Sequence, residues 1–225
     1  MFSIVLFAVI KFGYSFNFQT ENSPVTSCGP TGHVHLIVLW SALGVRMTRN
    51  ALSSLRNQTG LRILEVHLKQ WPKSASDFAV CHRNFYANNH AEKNFSVPSQ
   101  FFEDSFVEKV KGTGPFTVVA TAVSCFSASN VTVASCGQAE ECDNAPKSVF
   151  LVSLKKRLRK TFSKGNKYAI HATVNRNEAM HDAESLFGPG YYEVLVRKKL
   201  GGATWNGAVR RDRTVGCVRL IGREA

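Results

Sequence analysis

Two histidines and a glutamate are the residues best spaced for catalysis in this chain of 225 residues. His181 precedes Glu184 by three positions on the helix-like segment 177–187, so an imidazole and a carboxylate could share a proton or a metal ion on one side of it. With His171 on the strand-like stretch before them, they are the set from which a secreted, nuclease-like hydrolase would draw its catalytic groups. Against that use, the face of 177–187 expected to be buried carries Met180, Ala183 and Phe187, which leaves His181 and Glu184 as a surface pair. His33 and His35 stand two apart on an apolar stretch. His82 follows Cys81, and neighbours on an extended strand point to opposite faces, so these two make a poor nucleophile and base. No Gly-x-Ser-x-Gly elbow, His-Glu-x-x-His helix, phosphate loop or dinucleotide glycine pattern is present. The sequence therefore assigns no catalytic residue and no cofactor, and predicts a protein that works without turnover.

The cysteines offer metal chemistry or cross-links. Cys28, Cys81, Cys125, Cys136, Cys142 and Cys217 contain no Cys-x-x-Cys knuckle, and ten and five residues separate Cys125, Cys136 and Cys142, which does not match a structural zinc site. Their even number fits disulfides formed in an oxidising compartment, with the connectivity left open. Residues 1–15 read as a signal peptide: an apolar run from Phe2 to Ile10, then Gly13-Tyr14-Ser15 with small residues at its outer positions. Three glycosylation sequons start at Asn57, Asn94 and Asn130, whereas Asn22-Ser23-Pro24 is disabled by its proline. Val34–Val45 is too short to span a bilayer, and Val215–Ala225 is polar, so a soluble, secreted or surface-associated glycoprotein is expected.

Charge divides the chain at Pro146. Residues 16–146 carry ten Lys plus Arg against ten Asp plus Glu, whereas residues 147–225 carry seventeen against six. An excess of that kind attracts polyanions, and outside the cell these are sulfated glycans and anionic membrane surfaces before nucleic acid. The candidate contacts are Lys155, Lys156, Arg157, Arg159 and Lys160 on one helix, and Arg210, Arg211 and Arg213 in a Gly-rich loop. The same helical run also fits a solvated outer face whose apolar stripe packs on a sheet.

The elements that must position these residues follow from periodicity. After a flexible lead over 16–30, residues 31–225 are expected to form one domain. His33–Trp40 reads as a buried strand or the start of a buried helix. Thr48 caps a helix through Asn50, Leu52, Leu55 and Arg56 that ends at Gly60. Leu61–Trp71 is expected to be helical, with Leu61, Leu64 and Leu68 on one face and Pro72 ending it. Pro98–Val110 holds a short helix, Gly112-Thr113-Gly114-Pro115 a turn, and the β-branched Phe116–Ser124 a strand. That strand opens the stretch Phe116–Cys142, which gathers three cysteines and a sequon at the boundary where the charge changes. Lys147–Ser163 is an amphipathic helix on Leu151, Leu154, Leu158 and Phe162. Lys167–Asn175 is expected as a strand, Asn177 as the cap of a helix ending at Phe187, and Tyr191–Lys198 and Val215–Ile221 as closing strands. Helices mixed with strands across short turns make an α/β or α+β sandwich.

Leu52-Ser53-Ser54-Leu55-Arg56, followed by Gly60-Leu61, resembles the first-helix signature of the sporozoite surface antigens of Eimeria, in which Leu-Asn-x-x-Arg and a later Gly-Leu recur. The six cysteines, Tyr192-Glu193-Val194-Leu195-Val196 and Thr214-Val215-Gly216-Cys217 are similar to the closing hairpin of that family. The resemblance implies a CAP-like α/β/α sandwich with three disulfides and a role at the parasite surface in attachment or immune exposure. Its partners would be host or cell-surface glycans or proteins.

Overall fold

A computed structural model describes residues 34–73, 78, 81–82, 85–86, 104–123, 130–131 and 147–211. The signal peptide, the lead over 16–30, Asn94, Arg213, five of the six cysteines and the strand expected over 215–221 lie outside the described residues. The architecture is α/β, with helices on both faces of a five-stranded mixed sheet.

The sheet is built from β1 (Val34–Leu39), β2 (Leu61–Lys69), β3 (Phe116–Val123), β6 (Ile170–Ala172) and β7 (Val209–Arg211), in the order β6-β1-β3-β2-β7. All contacts are antiparallel except the parallel pair of β2 with β7. A two-stranded pairing of β4 (Asn130–Val131) with β5 (Lys147–Ser148) stands beside it. β1 and β3 are buried along their whole length, as the uninterrupted apolar runs Leu36–Leu39 and Val118–Ala120 require of strands covered on both sides. Alternation sends Leu36, Val38, Val118 and Ala120 to one layer and Ile37, Leu39, Val119 and Val123 to the other. The first layer also holds α4 (Arg176–Phe187), α5 (Tyr191–Leu200) and the helical residues Phe78, Cys81, Phe85 and Tyr86; the second holds α1 (Val45–Arg56) and α3 (Val149–Phe162). A further helix, α2 (Asp104–Lys111), leads into β3.

The turn between α2 and β3 shows why glycine stands there. Gly112 has a φ of 75°, and a Cβ on it would lie 2.4 Å from the Ser41 hydroxyl oxygen. That hydroxyl donates to the Lys111 carbonyl and accepts from the Gly114 N–H, both at 3.1 Å, and so joins the turn to the end of β1.

Helix α3 has the expected leucine stripe, with Leu151, Leu154 and Leu158 buried, but it starts at Val149: Lys147–Ser148 belong to β5, and the Ser148 side chain caps the helix by accepting from the Leu151 N–H at 3.3 Å. Ser148→Ala should lower stability by about 1 kcal/mol, read as a shift in the urea midpoint without a change in slope.

Five expectations need correction. Leu61–Trp71 is not a helix but contains β2, whose backbone groups pair with β3 on one side and β7 on the other. Tyr191–Lys198 is not a strand but lies within α5. Gly190, left-handed at φ 76°, starts it, Tyr192, Leu195 and Val196 form its buried stripe, and Arg197, Lys198 and Lys199 meet its negative C-terminal end. The first arm of the hairpin compared with the surface antigens is therefore helical. In α4 the cap is Asn175 in place of Asn177, and the buried face is Ala179, His181, Asp182, Ala183 and Leu186 with Met180 turned out to solvent. Arg210 and Arg211, expected in a loop, lie on β7. Helix α1 also begins earlier than expected, after Gly44, with Thr48 inside it.

Candidate functional site

Three groupings of polar residues stand out. The first is the outer surface of the α1/α3 layer. The two helices pack against each other over a shared buried cluster that includes Ala51, Leu55, Leu151 and Leu154, and neither contains an aspartate or glutamate. Arg46, Arg49 and Arg56 of α1 and Lys156, Arg157 and Lys160 of α3 are exposed, and the Arg157 guanidinium donates to the Gln58 side chain just beyond α1. Arg56 lies over the Trp205 ring, 5.9 Å from its centroid, which links the layer to the approach to β7.

The basic residues singled out in the sequence are thus sorted by the fold. Lys156, Arg157 and Lys160 face water together, and strand alternation turns Arg211 toward the same layer. Lys155 and Arg159 turn inward: the Lys155 ammonium donates to the Ala172 carbonyl at 2.8 Å and the Arg159 Nε–H to the Ile170 carbonyl at 2.9 Å. The reason is the sheet edge. The Trp40 N–H bonds the Ala169 carbonyl and the Thr173 N–H bonds the Leu36 carbonyl, both at 3.0 Å, so peptide groups of odd-numbered residues in β6 face β1 and the carbonyls of Ile170 and Ala172 point outward. Two long cationic side chains cap that edge. Arg210 goes to the opposite face, 3.4 Å from the Glu65 carboxylate.

The second grouping is centred on Glu65. A bulge in β2 shifts its register against β3 between Ile63 and Glu65, so Glu65 leaves the face of Ile63 and joins His67 beneath α5. The Tyr191 hydroxyl donates to it at 2.6 Å and the Lys198 ammonium at 2.5 Å, and His67 Nε2 lies 3.5 Å away. Burial opposes its ionisation, but the hydrogen bonds from His67, Lys198 and Tyr191 outweigh that cost and hold the pKa down to about 2. Phe187 stacks on Tyr191 with ring centroids 4.2 Å apart, and the Lys69 ammonium sits 4.1 Å from the Phe187 centroid.

The third grouping joins β6 to α4. His171, whose side chain leaves β6 on the α4 side, shares a proton with Asp182 across 2.8 Å between Nε2 and Oδ2. Glu178, one turn before Asp182, approaches the same nitrogen to 3.6 Å. Asn175 caps α4 by accepting from the Glu178 N–H at 2.8 Å, while the Glu178 carboxylate accepts from the Val174 N–H at 2.7 Å. Burial, then the neighbouring Glu178 carboxylate, pushes the Asp182 pKa well up; burial, then the cations Lys155, Lys111 and Arg159, pushes that of His171 well down. Beside them the buried Lys111 ammonium donates to the Tyr86 hydroxyl and lies over the Trp40 ring at 4.7 Å, with burial depressing its pKa.

Of the three residues considered for catalysis, the structure takes His171 to Asp182 and Glu178. His181 is buried, with Nε2 3.2 Å from the Phe85 carbonyl and 3.3 Å from the Ser185 hydroxyl, so it is not half of a surface pair. Glu184 is half-buried on the same helix. Asp182 and Glu178 are not among the residues expected for catalysis, although two carboxylates one turn apart on a helix directly after a histidine-bearing strand are a usable signal. Cys81 and His82 are helical and buried, and Cys81 is disulfide-bonded, which removes it as a nucleophile. Asn57 is exposed at the C-terminal cap of α1. No helix among the described residues is long and apolar enough to cross a membrane.

No protein-family model matches the chain, and comparison with curated proteins finds no match.

Proposed function

We propose that this is a secreted, disulfide-bonded glycoprotein that binds sulfated glycans at cell surfaces through the outer face of the α1/α3 layer, without enzymatic turnover. One observation carries the reading: two adjacent helices without a single acidic residue expose six cationic side chains on one surface. Such a surface concentrates positive potential where a linear polyanion can lie across both helices, releasing counterions as it binds. Attachment of this kind agrees with the surface role implied by the resemblance to the Eimeria antigens. Arg46, Arg49 and Arg56 extend the patch beyond the residues that a run of charges in the sequence marks out.

The test is retention on immobilised heparin over a salt gradient. The folded wild-type protein should elute well above physiological salt. The triple variant Lys156→Gln, Arg157→Gln, Lys160→Gln should elute earlier, with the slope of log affinity against log salt reduced by about two to three. Arg176→Gln with Arg197→Gln, exposed on the opposite layer, should leave elution unchanged. Wild-type elution near physiological salt would remove the proposal. Chelator-sensitive nucleic-acid cleavage that disappears in His181→Ala would replace it with a nuclease.

A further inference from the structure

We propose that His171, Glu178 and Asp182 form a binding site for one divalent transition-metal ion of the zinc class, clamped between β6 and α4. One donor atom from each residue can be chosen so that all three lie within 4.8 Å of one another, on a strand and a helix that are themselves packed in place. One imidazole nitrogen and two carboxylates form a nitrogen–oxygen donor set that zinc and its neighbours accept, with a fourth position for water.

The independent sign of a ligand is Asp182 Oδ1. Asp182 is fully buried, and among the described residues this oxygen has no hydrogen-bond partner. A buried carboxylate oxygen left bare is costly, and a cation in the cluster satisfies it where no donor among the described residues does. The surrounding shell is also formed. The second Glu178 oxygen is fixed by the Val174 N–H, and the His171 ring is flanked edgewise by Phe85 and Tyr86 at 5.7 and 6.1 Å between centroids. Lys155 and Arg159 spend their donors on the β6 carbonyls beside the cluster, and the imidazole nitrogen favours a zinc-class ion over calcium or magnesium. The burial of His171 and Asp182 shields the site from bulk water, and an ion held there would tie the short edge strand to α4.

The experiment uses the full chain, stripped with chelator, equilibrated with zinc chloride and desalted before metal analysis. Wild-type protein should retain one zinc per chain, and Asp182→Asn and Glu178→Gln close to none, with circular dichroism confirming that each variant is folded. At a hundredfold excess over Kd, zinc should raise the wild-type Tm by about 5–10 °C and leave both variants unmoved. If Asp182→Asn does not fold, Glu178→Gln, at a less buried position, decides the matter. No retained zinc in the wild type, or a full equivalent retained by a folded variant, overturns the site.

Discussion

Trp40→Ala should lose about 3–5 kcal/mol of folding stability, a large part of what a domain of this size possesses. Trp40 ends the face of β1 that carries Val34, Leu36 and Val38, and it has no solvent exposure. Trp71 stacks on it at 5.6 Å, Phe85 meets it edgewise at 5.6 Å and Phe116 tilts against it at 4.9 Å. These rings come from the residue after β1, the residues after β2, the helical pair Phe85–Tyr86 and the start of β3. Removing the indole therefore opens a cavity where four separate stretches meet, and no one of them can close it alone. Lys111 would also lose an aromatic face from beneath its ammonium. Trp40→Phe keeps a ring against Trp71 and Phe116 and should recover most of the loss. Urea unfolding followed by near-ultraviolet circular dichroism measures both variants. A loss below about 1 kcal/mol for Trp40→Ala would mean that the neighbouring rings collapse into the space, and that the box is not a rigid unit.

How much of this fold could be read in advance depended on whether a local signal and its tertiary partner agreed. Helix α3 is legible because its whole leucine stripe lies within one segment, and β3 because eight largely β-branched and small residues favour an extended chain. β2 misled because Leu61, Leu64 and Leu68 fit a helical face, while the bulge at Leu64 breaks the alternation that would have marked a strand. α5 misled in the opposite sense: Tyr192, Val194 and Val196 alternate like a strand, but the helix buries Tyr192, Leu195 and Val196. In both cases the segment is consistent with two periods, and only the packing partner decides.

The candidate sites are less legible, because nothing local in a sequence marks a polar residue for burial. Asp182 is buried because His171 waits opposite it on β6, and Glu65 because a bulge and α5 bring Tyr191 and Lys198 to it from more than a hundred residues away. The basic run on α3 was visible as charge, but its division was not. Lys155 and Arg159 point inward because the edge of β6 presents two carbonyls, a demand that no property of the helix itself announces.

The acid limb of the stability curve should belong largely to Glu65. Its folded pKa of about 2 lies below the ordinary value of 4.5, so the native state favours the ionised carboxylate more than the unfolded chain does. The resulting stabilisation is fully present above the unfolded value, and it drains away as pH falls from about 4.5 through about 2. A depression of that size corresponds to about 3 kcal/mol, which we reduce to about 2 because Lys198 and Arg210 reach solvent and are screened there. Glu65→Gln keeps an acceptor for the Tyr191 hydroxyl but leaves the Lys198 ammonium without its counter-charge. At pH 7 the variant should therefore be about 2 kcal/mol less stable than the wild type, and the difference should shrink on acidification until the two coincide near pH 2. Urea midpoints taken at intervals between pH 7 and pH 2 read this directly. Parallel curves would show that the tyrosine and lysine contacts do not discriminate between the charged and neutral acid. Converging curves would identify the bulge in β2 as the feature that sets acid stability, since it alone turns Glu65 from the α1/α3 side of the sheet toward its partners on α5.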